Sequence, residues 1–102
     1  MTMQRTDRVV WAEIPVSDMA RAKAFYASLL GAPLVDEDAG PNPLAMLPRS
    51  GADEVGGHLY PGKPAAKGTG PTIHLRLAGE LSDAMARVRD GGGEVVSDIV
   101  TI

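Results

Sequence analysis

The stretch VVWAEIPVSDMARAKAFYASLLGAPL, residues 9–34, decides how this chain folds. It opens with strict alternation. Val10, Ala12, Ile14 and Val16 fall on one face, and Trp11 and Glu13 on the other. A period of two predicts a half-buried strand. Pro15 has no N–H to give a ladder, which suits a strand end or a sheet edge. Ser17 or Asp18 then offers a helix N-cap. Met19, Ala22, Tyr26, Leu29 and Leu30 follow near helical spacing. Gly31 is the residue type that stops a helix in the left-handed conformation, and Pro33 prevents its return.

Working outward, Leu34-Val35 is a short apolar strand candidate, and DEDAGPNP (36–43) is turn chemistry. Leu44 to Leu47 is a second short strand. Val55 to Tyr60 is a third, weakened by Gly56 and Gly57. PGKPAAKGTGP (61–71) has linker composition. A second alternating run then begins, with Ile73, Leu75 and Leu77 against Thr72, His74 and Arg76. A helix is predicted from about Glu80 to Asp90, with Leu81, Ala84, Met85 and Val88 as its buried stripe. Gly91-Gly92-Gly93 caps it. Strand character resumes over Glu94 to Val96 and again over Asp98 to Ile102.

The order of elements therefore repeats. Glu13 and His74 stand 61 positions apart, as do Val16 and Leu77. Internal repetition changes the fold assignment. The expectation is an α+β domain over residues 8–102, built from two paired βαβββ modules. Module 1 covers 8–62 and module 2 covers 70–102, with residues 1–7 as a polar lead-in. A full second copy would run to about residue 129, so the second module is expected to be incomplete at Ile102.

Composition narrows the function classes. The 102 residues carry 10 Lys plus Arg against 13 Asp plus Glu, a net charge of −3. Nucleic-acid binders show a basic stripe instead. The absence of cysteine removes disulfide scaffolds, thiolate metal sites and cysteine nucleophiles. No apolar run approaches the roughly 18 residues of a spanning helix, and Met1 to Val10 is too polar for a signal peptide. The expected setting is the cytoplasm, without a membrane partner. The triple glycine follows a helix and lacks the phosphate-loop pattern.

The run at 9–34 resembles the N-terminal signature of the vicinal oxygen chelate superfamily, the glyoxalase, bleomycin-resistance-protein and dihydroxybiphenyl-dioxygenase group. Val16-Ser17-Asp18 and Phe25-Tyr26…Leu30-Gly31 carry most of the match. GELSDAMARVRDGGGEVV (79–96) is similar to the superfamily's second helix and the turn after it. The resemblance implies paired modules curving around a cavity, a small-molecule ligand and a homodimer. In metal-dependent members it also implies a divalent ion. The implied ligand positions lie five residues before the last strand residues Val16 and Leu77, which places them at Trp11 and Thr72. Neither is a metal ligand in this role. A further implied carboxylate, after an Asp-Pro-x-Gly-Asn-like turn, falls past Ile102. The expected protein binds a small organic molecule without the superfamily's metal. The alternatives are a metal-dependent lyase or isomerase of glyoxalase type, a dioxygenase-related activity, or drug sequestration.

The candidate pocket residues are Trp11, Glu13, Met46, His58, Thr72, His74 and Arg76. The repeat makes Glu13 and His74 pseudo-symmetric partners. Such a pair can bind a metal, exchange a proton or satisfy itself by hydrogen bonding. Arg76 can form a salt bridge with Glu13 or hold an anionic ligand. Trp11 suits a cavity wall or plain core, and Met46 suits an irregular apolar surface. His58 is expected at the rim or surface. Phe25 and Tyr26 are expected to be packing residues.

Overall fold

A computed structural model describes residues 6–39 and 41–102. Most of the expected lead-in, residues 1–5, lies outside the described residues. The elements in chain order are β1 (Trp11–Val16), α1 (Met19–Leu30), β2 (Val35–Ala39), β3 (Asn42–Met46), β4 (Gly56–Pro61) and α2 (Leu81–Asp90). The first five form one βαβββ unit. Its sheet has the order β1-β4-β3-β2, with β1 and β4 parallel and the other pairs antiparallel. The last strand of the unit therefore lies beside the first, and β4 is central.

Helix α1 starts and stops for local reasons. The Asp18 side chain accepts a hydrogen bond from the Arg21 N–H at 3.1 Å, satisfying one of the helix's unpaired first-turn donors. Gly31 takes φ 74°, and its N–H donates to the Ala27 carbonyl. One face of the sheet packs on this helix. Buried Ala45, Leu47 and Leu59 form the core, joined by Ile14 and Val16 from β1 and by Met19, Ala22, Tyr26 and Leu30 from α1. The face assignment for Ile14 and Val16 follows the alternation. Val10 departs from it and is exposed.

Close approach explains the glycines of β4. A Cβ on Gly57 would sit 2.5 Å from the Ala12 carbonyl oxygen, so only glycine lets β1 and β4 pair there. A Cβ on Gly56 would press on the Arg49 and Trp11 side chains. These residues permit the strand rather than weaken it.

Three further expectations about the elements need correction. The first concerns the acidic run after Val35. It is strand as far as Ala39 and pairs with β3, with Ala39 opposite Asn42. It forms the far edge of the sheet and is exposed along Val35 to Asp38, so no apolar alternation marks it. The second concerns residues 72–77, which form no ladder among the described residues; nor do 94–96 or 98–102. The alternation at 72–77 is only partly expressed: Leu75 packs against the core and Leu77 is half-buried, but Ile73, expected on the same face, is exposed along with Thr72, His74 and Arg76. Burial of one face writes that pattern, but a strand also needs a hydrogen-bonding neighbour. The third concerns Leu81, expected in the buried stripe of α2, which is 50% exposed. Ala84 is buried, and Arg87 Nη2 reaches the Leu29 carbonyl near the end of α1 at 3.4 Å. That carbonyl belongs to the last turn, where intrahelical partners run out.

Candidate functional site

Residues opposite one another in register share a face of a sheet. Glu13 lies opposite His58, and Met46 lies opposite His58 on its other side. Trp11 and Tyr60 follow by alternation. These five residues therefore occupy the face turned away from α1. The sequence-derived candidates Trp11, Glu13, Met46 and His58 are brought together.

His58 is buried at 7% exposure, contrary to the rim position expected. The reason is strand order. β4 is flanked by a strand on each side, so its side chains are covered by neighbours on both. The indole N–H of Trp11 donates to His58 Nδ1 at 2.9 Å. An indole nitrogen can only donate, so Nδ1 must carry its lone pair. In the neutral ring the proton then sits on Nε2, which points at Glu13 Oε1, 3.3 Å away. Glu13 is thus the partner of His58. It is not joined to His74, as the repeat suggests, nor to Arg76.

Trp11 is also held from its ring face. The Arg49 guanidinium stacks 4.8 Å from the ring centroid, a cation–π contact. Arg49 is itself pinned, donating through Nη1 to the carbonyls of Ala52 and Glu54. The ring is therefore fixed by an edge hydrogen bond and a stacked cation.

The remaining candidates gather elsewhere. Thr72, His74 and Arg76 line a groove of about 350 Å³ with Trp11, beside Leu30, Leu47 and Val55. Trp11 is common to the groove and to the cluster around His58. A second space of about 290 Å³ lies between the start of α1 and the Gly91–Gly93 turn. Tyr26 borders it, and burial pushes its phenol above the ordinary value. Phe25 and Tyr26 pack edge to face, as packing residues do.

The donor set does not fit the divalent ion that some superfamily members carry. Trp11 offers a donor and no lone pair, and His58 Nδ1 is already taken by it. Thr72 and His74 are on an exposed segment, and Glu13 is paired with His58. Among the described residues no three His, Cys, Asp or Glu side chains group closely enough to hold a metal. His58 is the functional candidate whose position the sequence reading missed. The signal was available in the βαβββ order, because a fourth strand returning beside the first is central.

A family model for the Glyoxalase/Bleomycin resistance protein/Dioxygenase superfamily matches residues 8–101. The chain belongs to that superfamily. No curated protein and no solved structure matches it significantly. No helix among the described residues is long and apolar enough to cross a membrane.

Proposed function

We propose that the protein binds a small organic molecule in the groove beside Trp11, without the superfamily's metal site. The observation that carries this reading is the convergence of Trp11, Thr72, His74 and Arg76 on one groove of about 350 Å³. Ligand pockets of this kind are mostly apolar with a few placed polar groups. Sequestration of a drug or metabolite needs no more than that. Metal-dependent lyase, isomerase or dioxygenase chemistry needs about three protein ligands on an ion with an open position. The donors around Trp11 and His58 weigh against it.

The same reading takes residues 8–62 and 70–102 as two modules of one domain, working in the cytoplasm as a homodimer. Support for the dimer comes from β1. It ends the sheet, and Val9 and Val10 beside it are exposed at 76% and 59%. Natural proteins cover such edges. Sedimentation should give a dimer mass at micromolar concentration.

Trp11 is the sole tryptophan and reports on the groove directly. Titration with a panel of apolar small molecules, followed by its emission, should give a saturable change. Calorimetry should then show at least about tenfold weaker binding in Trp11→Ala, the loss expected of an aromatic anchor in the groove. Affinity should survive a chelator. Unchanged affinity in Trp11→Ala, or binding abolished by the chelator, would refute the reading.

A further inference from the structure

We infer that the groove selects molecules with an apolar body and an anionic end, anchored by Arg76. This rests on the groove reading above and names its ligand class. Among the described residues lining the groove, Arg76 is the only Lys, Arg, Asp or Glu, with the imidazole of His74 nearby in the same lining. It also lines the adjoining open space with Arg49 and Glu54, so it stands where the two meet. Its expected partner, Glu13, is beside His58 instead. Among the described residues Arg76 has no hydrogen-bond or ion-pair partner.

Among the described residues, the open space beside the groove is lined by two arginines, Arg49 and Arg76, and one acid, Glu54. Asp53 lines a further space with Arg49 and Glu54. One Glu54 carboxylate oxygen accepts the Ser50 N–H at 2.8 Å, closing its own turn. Arg49 is committed to the Ala52 and Glu54 carbonyls and to the Trp11 ring. Arg76 is the uncommitted cation. A guanidinium presents a planar fork of N–H donors that matches carboxylate, sulfonate or phosphate oxygens. The Trp11 indole, Leu30, Leu47 and Ile73 supply the apolar surface for the rest of such a ligand.

Two probes with the same aromatic body separate the terms. Anilinonaphthalene sulfonate carries an anion, and phenylnaphthylamine is neutral. Both should change Trp11 emission in the full chain. The sulfonate should bind about fivefold more tightly, the worth of one exposed charge pair. Arg76→Gln should weaken the sulfonate about fivefold more than it weakens the neutral probe, erasing that difference. Arg76→Lys should restore part of it. Raised salt should weaken the sulfonate alone. Equal affinity of the two probes for the wild type, or a preference that survives Arg76→Gln, would overturn the anionic class and leave the groove reading standing. If neither probe altered Trp11 emission, the groove reading would fall, and the ligand class with it.

Discussion

Residues 11–61 and 72–90 carry nearly the same pattern, an alternating run followed by a capped helix, yet they end in different states. In the first, β1 finds β4 as a hydrogen-bonding neighbour and becomes strand. In the second, 72–77 keeps part of the alternation and gains no ladder among the described residues. The helices differ in the same way. Asp18 caps α1 with its side chain, whereas Glu80 at the corresponding place makes no such bond. Hydrophobic pattern selects which face is buried. Partner strands and cap chemistry decide whether that face is fixed.

The sharpest break in this comparison is Gly57→Val. The new side chain would collide with the Ala12 carbonyl and separate β1 from β4. Overpacking and a lost ladder together should cost about 3 kcal/mol or more, read from urea denaturation. A stability near wild type would show that β1 and β4 do not approach so closely.

Truncating the core distinguishes the two runs more gently. Leu59 is fully buried, so Leu59→Ala should cost about 2 to 5 kcal/mol. Ile73 is 45% exposed, so Ile73→Ala should cost under about 1.5 kcal/mol. Equal losses would mean that 72–77 is built into the core like β4. Amide exchange should agree, with protection across Trp11–Val16 and fast exchange across 72–77.

His58 offers a test by shape. His58→Leu leaves the Trp11 N–H without its acceptor and should cost about 1 to 3 kcal/mol. His58→Asn returns an oxygen near the Nδ1 position and should recover part of the loss and the native Trp11 emission. Identical behaviour of the two variants would deny the hydrogen bond its role.

The smallest effect belongs to the caps. Asp18→Ala should cost about 1 kcal/mol, and Glu80→Ala should be close to neutral. Thermal melts of the pair read the contrast directly.

Much of the first unit was legible in residues 9–34. An N-cap at Ser17 or Asp18, the span of α1, the Gly31 stop and the inward face of Ile14 all follow from local signals, and the structure selects Asp18 as the cap. What was not legible depended on neighbours. The position of His58 depended on strand order: the βαβββ succession puts β4 in the interior of the sheet, but local pattern alone made His58 look peripheral. The acidic residues after Val35 gave no strand signal, because an edge strand exposed along its length needs none. The repeat pointed Glu13 at His74 by analogy, while the ladder delivered His58. In the candidate site, the residues fall into two groups that the repeat did not indicate. Trp11, Thr72, His74 and Arg76 share a groove, and Glu13, His58 and Met46 share a sheet face.

The triple glycine after α2 has a consequence for how this chain can vary. Gly92, at φ 87°, is there for the turn itself. Gly91, at φ −82°, has ordinary backbone. Yet a Cβ on Gly91 or Gly93 would sit 2.9 or 2.8 Å from the Phe25 ring of α1. Those two positions are clearance for an aromatic side chain that lies more than sixty residues earlier in the chain. Size can therefore be traded across the seam. Phe25→Leu should make alanine at Gly91 less harmful than it is alone, a coupling that a double-mutant cycle would register as non-additivity.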